Sequence, residues 1–465
     1  MSGLASHRRE QQPSSTSAAS ASVPLTGGLV LSPARTGDHL AVHQLLFHIF
    51  RGPSATEFHL QQEEPGYSPG NRLVVRQGPR IVGHARVSFR DMQIGSGWRK
   101  VARVFDLCVL PEFRGQHVAS ALILACESLA REHGASLLQT RATRPSLFKR
   151  QGWFAMGRHS YHLVGPRELL AEVERRKWEQ AGLHQASDDL PQLTRPQHPL
   201  TVRRWKQTEH AAVQRLYGES IGGINGLLAR SDDYWRWLIS RSAYDWFYVA
   251  VDGPDRTLFD DIQGHIVGYA FLKANRVMEL MAGPANDRAA QALLVRACRD
   301  AIEQSATPLR LDVPLSHSVE ELLAAAGCKS VAHETDGGET FLGKVLDWHQ
   351  LASATLADSP ELRLTLGLRE ESTMVPLHCD SASPPEPQRF RIEGGQFLLD
   401  QSIGRPQVVC SAAVLSQLLL GHTRLPDALE ANLIRVANQA AREVLEKWLI
   451  ARPLWFAPLE DLLAE

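Results

Sequence analysis

Apolar positions along the first part of the chain change between a period of two and a period near 3.6, which predicts alternating strands and helices. Glycine-containing turns separate the runs, and the turn Gln77-Gly78-Pro79 predicts a hairpin. The predicted strands are 29–31, 72–75, 80–89, 100–110 and 160–164, and the predicted helices are 36–50 and the segment from 118 onward. This order predicts a mixed sheet flanked by helices, closed by the strand at 160–164.

A similar order recurs in the middle of the chain. The predicted strands there are 200–204, 246–251, 262–272 and 309–313, and the predicted helices are 208–217, 289–303 and 318–326. We therefore expect a second mixed sheet that is a degenerate copy of the first. Its aromatic residues have two interpretations, core packing or the wall of a substrate site.

The last part of the chain has a third pattern. It predicts a strand at 362–366, a hairpin at 390–400, a helix at 411–420 ended by Gly421, and a helix or broken helix pair at 428–448. Composition shifts between the patterns suggest the boundaries. The expected organisation is a disordered tail (1–28), a first unit (29–165), a helix and proline-containing linker (166–199), a second unit (200–347) and a third unit (348–465).

Composition narrows the class of protein. The 465 residues are 43% hydrophobic, with 50 basic and 51 acidic side chains, which argues against nucleic-acid or anionic-membrane partners. A continuous apolar run long enough to span a bilayer is missing from the sequence, so no membrane segment is expected. Six scattered cysteines without C-x-x-C pairs predict buried thiols in a reducing cytoplasm and no metal site.

The segment after the strand at 104–110 carries the candidate chemistry. Pro111 ends the strand, and Arg114 and Gly115 precede a predicted helix that begins with small residues. The first turn of a helix offers unpaired N–H groups and the positive end of its dipole, so this loop is suited to a pyrophosphate. The alternative is an ordinary strand-to-helix connection with a glycine turn.

Arg114-Gly115-Gln116-His117-Val118-Ala119 resembles the GNAT acetyltransferase signature Gln/Arg-x-x-Gly-x-Gly/Ala, and 146–153 resembles that family's Leu-Tyr-x-x-x-Gly-Phe segment. The resemblance implies an N-acetyltransferase that moves an acetyl group from acetyl-CoA to a primary amine of a small molecule or of a protein lysine. It also assigns the cofactor contacts. The pyrophosphate would lie on Arg114, Gly115, Gln116, His117, Val118, Ala119 and Ser120, and the pantetheine arm would pair with Leu107, Cys108 and Val109.

Two positions depart from the family pattern. His117 replaces the central glycine, which requires a negative φ and either a side chain turned away from the phosphates or an imidazole that donates to one of them. Phe148 occupies the position of the tyrosine that reprotonates the coenzyme A thiolate, and phenylalanine has no proton to give. His117 is a candidate for removing the amine's proton, and Tyr161 is either a substitute acid or an ordinary strand residue. Phe148 also keeps open a second function, an acyl-CoA-binding sensor or scaffold without turnover.

The whole arrangement resembles the enhanced-intracellular-survival (Eis) family: two GNAT-like units followed by a sterol-carrier-protein-like domain, the last most clearly in 411–421. The segment 233–238 is also similar to that family. The resemblance implies a hexamer, and a general base formed by the terminal carboxylate of Glu465. We expect the second unit not to bind coenzyme A, because Glu279 lies where a phosphate loop would be. Lipid carriage by the third unit would require an apolar tunnel there.

Overall fold

The computed structural model describes residues 22–157, 159–185, 200–221, 224–253, 265–283, 286–333, 335–336, 338–369, 387–402, 404–450 and 453–461. The helices are α1 (His39–Phe50), α2 (Ala55–Gln62), α3 (Val118–Glu132), α4 (Pro145–Lys149), α5 (Pro166–Gln185), α6 (His210–Ser220), α7 (Asp232–Ser240), α8 (Asp287–Glu303), α9 (His317–Ala325), α10 (Trp348–Leu356), α11 (Ala412–Leu419), α12 (Leu425–Glu430), α13 (Gln439–Trp448) and α14 (Pro458–Asp461).

The strands form three sheets. Those of the first two units are β1 (Val23–Pro24), β2 (Leu29–Pro33), β3 (Arg72–Gln77), β4 (Arg80–Ile94), β5 (Gly97–Val109), β6 (Leu137–Ala142), β7 (Phe154–Ala155), β8 (His159–Val164), β9 (Leu200–Arg204), β10 (Trp246–Asp252), β11 (Ile266–Lys273), β12 (Arg276–Ala282), β13 (Leu309–Leu311), β14 (Lys329–His333), β15 (Thr335–Asp336) and β16 (Glu339–Val345). Those of the third unit are β17 (Leu364–Arg369), β18 (Gln388–Glu393), β19 (Gln396–Leu399), β20 (Val408–Ser411) and β21 (Ile434–Val436).

The first two sheets share one plan. The first has the order β1-β2-β3-β4-β5-β6-β16-β15, with β7 beside β16, and the second has the order β9-β10-β11-β12-β13-β8-β14. In each sheet an antiparallel run leads to one parallel pair, β5 with β6 or β12 with β13, and α3 or α8 makes the crossover. The expectation of a tandem pair of mixed sheets agrees with this architecture.

The two sheets exchange a strand. β8 pairs with β13 and β14 in the second sheet, so the prediction that 160–164 closes the first sheet is wrong. Its place beside β6 is taken by β16, from the end of the second unit. Periodicity along the chain identifies a strand but carries no information about its partner, and the chain crosses between the two sheets immediately after β7.

The third unit is a five-stranded sheet in the order β19-β18-β17-β20-β21, covered by helices. The segment predicted as a helix or broken helix pair at 428–448 instead contains α12, the short strand β21 and α13. The centre of this unit is filled by side chains, with Phe397 and Leu415 fully buried.

The amino-terminal expectation is partly corrected. Residues 1–21 lie outside the described part of the chain, but Val23–Pro24 pairs with β2, so 22–28 is not a disordered tail. The linker expected near 185–199 falls almost entirely outside the described residues. None of the described helices is both long and apolar enough to cross a bilayer.

The segment 453–461 returns from the third unit to the second. The Trp455 indole N–H donates to the carbonyl oxygen of Asp312 at 2.8 Å, and the Trp455 amide donates to that of Asn225 at 2.8 Å. Leu459 is fully buried in the aromatic core of the second unit. Asp312 directly follows β13, so this segment lies near the end of the parallel strand pair.

Candidate active site

A gap opens in the first sheet where its two parallel strands diverge. The last paired residues are Val104 of β5 and Thr140 of β6, and the Thr140 hydroxyl donates to the Val104 carbonyl at 2.9 Å. β5 continues to Val109, and no described strand pairs with it on that side beyond Val104. The diverging strands therefore leave a free backbone edge on β5, to which an extended ligand can bind.

Two of the three residues predicted to pair with the pantetheine arm lie on the free edge of β5. The Leu110 amide donates to the Val82 carbonyl of β4, so Leu110 and Cys108 direct their backbone groups toward β4. By alternation, Leu107 and Val109 face the gap. Cys108 does not, and burial raises the pKa of its thiol to about 12, so it is not a nucleophile.

A β-bulge sets the direction of this edge. The β4–β5 register shifts between His84 and Arg86, and Asp106 opposite them has a φ of 54°. The His84 ring donates through Nδ1 to the Asp106 carbonyl at 3.1 Å, and Arg72 donates to its Nε2 at 3.3 Å. Arg86 donates to the Asp106 carboxylate at 3.3 Å. These contacts hold a strained residue one position before the free edge.

His84 is excluded as the base that takes the amine's proton. Burial, followed by the nearby positive charge of Arg72, lowers the pKa of His84 to about 3. Its Nε2 also accepts the hydrogen bond from Arg72, so neither nitrogen is available. His84 is a positioning residue for the bulge.

The loop predicted to bind pyrophosphate lies at the start of α3, directly after the free edge. No described side chain caps this helix, and its first turn contains no acidic residue. The first hydrogen bond of the helix is from the Ala121 amide to the His117 carbonyl, so the amides of the preceding first turn have no helical acceptor. Gly115 has a φ of 81°, and the space where its Cβ would be is open. This is a site at which a phosphate can approach backbone N–H groups closely.

His117 departs from the condition set by the sequence. Its φ is 60°, in the left-handed region, so the expected negative φ is wrong. His117 occupies the N-cap position of α3 in a backbone conformation that glycine adopts without cost, and its exposed side chain makes no capping hydrogen bond. The backbone at the start of α3 therefore has the conformation that a glycine at position 117 would give, at the cost of strain at His117.

The corresponding helix of the second unit is built differently. The Asn286 side chain accepts the Ala289 amide at 3.2 Å, and Asp287 adds a carboxylate to the first turn of α8. Glu279 is fully buried on β12 and bound by Arg230. The open, uncapped start of α3 is thus not repeated in α8.

Phe148 lies on helix α4 and Tyr161 lies on a strand, in different parts of the fold. Phe148 is buried in the first core, where its ring meets that of Trp153 edge-on at 5.1 Å, in the same cluster as Cys108 and Val118. Tyr161 lies on β8 in the second sheet, under the guanidinium of Arg310. The possibility that Tyr161 substitutes for the missing acid is therefore not supported. Glu465 lies outside the described residues.

A pocket adjoins the gap in the first sheet. Its atom-free volume is about 710 Å³, including the part open to solvent. Phe105, one residue beyond the last β5–β6 pair, forms part of its wall. It is lined by Glu57, Leu60, Gln61, Glu64, Arg86, Ser88, Arg90, Arg103, Phe105, Tyr234, Trp237, Arg241, Ala243 and Glu460.

Arginine dominates the first-unit side of this pocket. Glu64 is bound by Arg86 at 3.0 Å and by Arg90, and the Ser88 hydroxyl donates to it at 3.3 Å. The Arg90 guanidinium lies 3.8 Å from the centre of the Tyr234 ring. One carboxylate thus serves two guanidinium groups.

The opposite side is held by a buried charge cluster. Arg230 has no exposed surface and binds Glu279 and Glu460 at 2.7 Å each, and Tyr234 donates to Glu460. Burial alone would raise the pKa of Glu460, but Arg230 and the Tyr234 hydrogen bond outweigh it and hold that pKa below its usual value. Glu460 is therefore an ionised structural anchor for α14.

The sequence pattern did not locate most of this pocket. Helix α2 had a readable signal, since Ser54 and Glu57 form a reciprocal capping box. Tyr234 and Trp237 are buried, in agreement with core packing, and they also line the pocket. Arg241 and Glu460 had no local signal, because their role depends on how distant segments pack together. Among the described residues, no group of three or more His, Cys, Asp or Glu is placed to hold a metal ion.

Comparisons with known proteins agree with this geometry. The profile of the Acetyltransferase (GNAT) family matches residues 40–157. No curated protein matches the chain. Among solved structures, the chain is similar to Eis1 from Mycobacterium abscessus (TM-score 0.61, 13% identity, 92% of this chain and 98% of that chain). It is also similar to a GCN5-related N-acetyltransferase from Kribbella flavida (TM-score 0.60, 16% identity, 92% and 97%).

A probable N-acyltransferase from Enterococcus faecalis V583 is a third similar structure, with a TM-score of 0.64 and 10% identity over 92% of this chain and 97% of that chain. The TM-scores and coverages of these three structures show a shared fold across nearly the whole chain. The chain therefore contains a domain of the GNAT acetyltransferase family in an Eis-like architecture.

Proposed function

We propose that this protein transfers an acetyl group from acetyl-CoA to a primary amine. The observation that carries the proposal is the uncapped start of α3, with its open Gly115, directly after the free edge of β5. In this proposal the amides from Gly115 to Ser120 hold the pyrophosphate and Arg114 adds a charged donor. Leu107 and Val109 pair with the pantetheine arm.

The acceptor would enter from the pocket beside Phe105. Its nitrogen attacks the thioester carbonyl carbon, a C–N bond forms, the C–S bond breaks, and the sulfur leaves with the electron pair. A backbone N–H on the free edge of β5 stabilises the oxyanion. With Phe148 in the position of the usual acid, the thiolate leaves unprotonated, which a thiol of pKa near 8.5 tolerates.

The proton lost by the amine needs an acceptor. His117 is exposed on the phosphate loop and does not line the pocket, and His84 is engaged on both nitrogens. The terminal carboxylate of Glu465 and a water chain are the remaining candidates. Helix α14, which ends at Asp461, is anchored beside the pocket through Glu460, which supports a role for the segment that follows it.

The test is a transfer assay with purified protein, radiolabelled acetyl-CoA and a panel of primary amines. Labelled amide product above the uncatalysed background is expected. Tight acetyl-CoA binding without product would instead support the alternative function of an acyl-CoA-binding sensor or scaffold.

A matched pair of variants tests the binding loop. Ser120→Glu places a carboxylate in the first turn of α3, where it repels the pyrophosphate but is favourable for the helix dipole. We expect its dissociation constant for coenzyme A to rise at least tenfold, a rough estimate for like charges at short range, without loss of stability. Leu124→Glu, at an exposed position of the same helix, is the control and should bind normally. Equal binding by both variants would contradict the assigned loop.

Three further expectations remain proposals. They are the domain boundaries at 199/200 and 347/348, the sterol-carrier-protein-like character of the third unit, and a cytoplasmic hexamer. The filled core around Phe397 supports a structural role for the third unit over lipid carriage. Sedimentation of the purified protein tests the hexamer.

A further inference from the structure

We propose that the acceptor amine also carries a carboxylate, and that Arg241 recognises it. This inference rests on the proposed acetyl transfer and names the substrate class of the same pocket. The observation behind it is an imbalance between guanidinium and carboxylate groups on the pocket wall.

The lining carboxylates of the described chain are already engaged. Glu64 accepts from Arg86, Arg90 and Ser88. Glu460 is held by Arg230 and Tyr234. A polycationic acceptor would find these carboxylates neutralised and would place its own charges against arginine.

The third lining carboxylate, Glu57, is the N3 residue of the α2 capping box and accepts the Ser54 amide at 2.6 Å. Its charge is used at the positive end of that helix. It is therefore also a poor partner for an ammonium group.

Arg241 is the arginine best suited to an anionic ligand. Its guanidinium lies 4.5 Å from the centre of the Trp237 ring, and one terminal nitrogen donates to the Leu459 carbonyl at 2.8 Å. Its buried Nε has no hydrogen-bond partner among the described residues. Neither the Trp237 ring nor the Leu459 carbonyl carries a negative charge. The positive charge of the planar Arg241 guanidinium is therefore not neutralised by these contacts and can bind a carboxylate ligand.

The rest of the wall fits the body of such a ligand. Phe105, Trp237 and Tyr234 supply ring surface in the same pocket as Arg241, and the Trp237 ring lies against its guanidinium. Exclusion of water by these rings strengthens a guanidinium–carboxylate contact. The fitting class is therefore an amino acid or short peptide with an apolar side chain, acetylated on its amine.

The experiment compares three acceptors that share a benzyl group and an amine: phenylalanine, phenylalaninamide and phenethylamine. Spermidine serves as the polycation. Both kcat/KM for acetyl transfer and equilibrium binding to the protein loaded with coenzyme A are measured. We expect phenylalanine to exceed the amide and phenethylamine at least tenfold in both. Equal or better use of the amide, phenethylamine or spermidine overturns the proposal.

Variants separate this inference from the proposed function. Arg241→Gln should weaken phenylalanine binding at least tenfold and leave coenzyme A binding unchanged, and Arg241→Lys should lie between. Arg236→Gln, on the exposed face of α7, is the control. If no amine is acetylated but phenylalanine still binds through Arg241, acetyl transfer fails and the carboxylate site stands. If transfer occurs but binding does not depend on the carboxylate, acetyl transfer stands and the carboxylate site fails.

Discussion

The indole N–H of Trp237 donates to the backbone carbonyl of Leu60 at 2.7 Å, which joins α7 of the second unit to α2 of the first. Both residues line the pocket beside the gap in the first sheet. The second unit, whose own helix α8 is capped, thus contributes one wall to a site on the first. In the proposed acetyl transfer, the part of the second unit is to shape the pocket for the acceptor.

Removal of the central charge of the buried cluster should be strongly destabilising. In Arg230→Met, Glu279 and Glu460 would remain buried without a counter-charge, which typically costs about 3–5 kcal/mol. The free energy of unfolding from urea titration measures this. Arg236→Met, whose side chain is 68% exposed, is the matched control and should change little. Similar losses in both variants would contradict the importance of the cluster.

His84 should make stability pH-dependent. Its ordinary pKa of 6.5 applies in the unfolded chain, whereas the folded protein keeps it neutral down to a pKa of about 3. Between these values the unfolded chain binds a proton that the folded protein does not, so its contribution to stability is lost as pH falls below 6.5. The slope from this residue approaches about 1.4 kcal/mol per pH unit.

The groups facing His84 are Arg72, Asp106 and Arg86. Urea titrations at pH 7.5, 6.0 and 5.0 measure the slope for the native protein and for His84→Gln. The variant should show a shallower slope in this window, whatever its absolute stability. An unchanged slope would mean that His84 is protonated in the folded protein.

Backbone conformation at the phosphate loop predicts opposite effects for two substitutions. Gly115→Ala meets no neighbouring atom but must adopt a φ of 81°, so strain alone should destabilise it, by about 1–2 kcal/mol. His117→Gly removes the strain at a φ of 60° and should keep or raise stability and tighten coenzyme A binding. Urea titration and calorimetric binding measure both. Weaker coenzyme A binding by His117→Gly would show that the imidazole itself contacts the ligand.

A proton donor at position 148 should speed the reaction. Phe148 packs in the same cluster as Cys108 and Val118 and has the position of the usual acid in the GNAT resemblance. Loss of a general acid typically lowers rates by about 10²–10⁴. We expect Phe148→Tyr to raise kcat for acetyl transfer, with some loss of stability from burying a hydroxyl. Phe154→Tyr adds the same hydroxyl in a different buried cluster and should not raise kcat. No gain in Phe148→Tyr would show that thiolate departure does not limit the rate.

Local sequence determined much of the first unit. Periodicity located β5 and α3 closely, and the basic-glycine turn between them indicated the open start of α3, because both signals involve neighbouring residues. The conformation of His117 was not readable, since a left-handed φ at a non-glycine residue depends on what surrounds it.

Features that depend on the packing of distant segments could not be predicted from the sequence. Nothing in the pattern of β8 or β16 specifies which sheet each joins. The pocket likewise combines α2, β4, β5, α7 and α14, whose lining residues are up to 403 positions apart (Glu57 to Glu460). Such a site exists only after packing, so Arg241 and Glu460 could not be recognised in advance.

Because β8 completes the second sheet and β16 completes the first, the two units have to be inherited together. A gene divided between positions 165 and 200 would encode two polypeptides, each lacking a strand that the other carries. Neither product would complete its own sheet, and activity would return only on co-expression. The two units are therefore inseparable, because each sheet needs a strand from the other part of the chain.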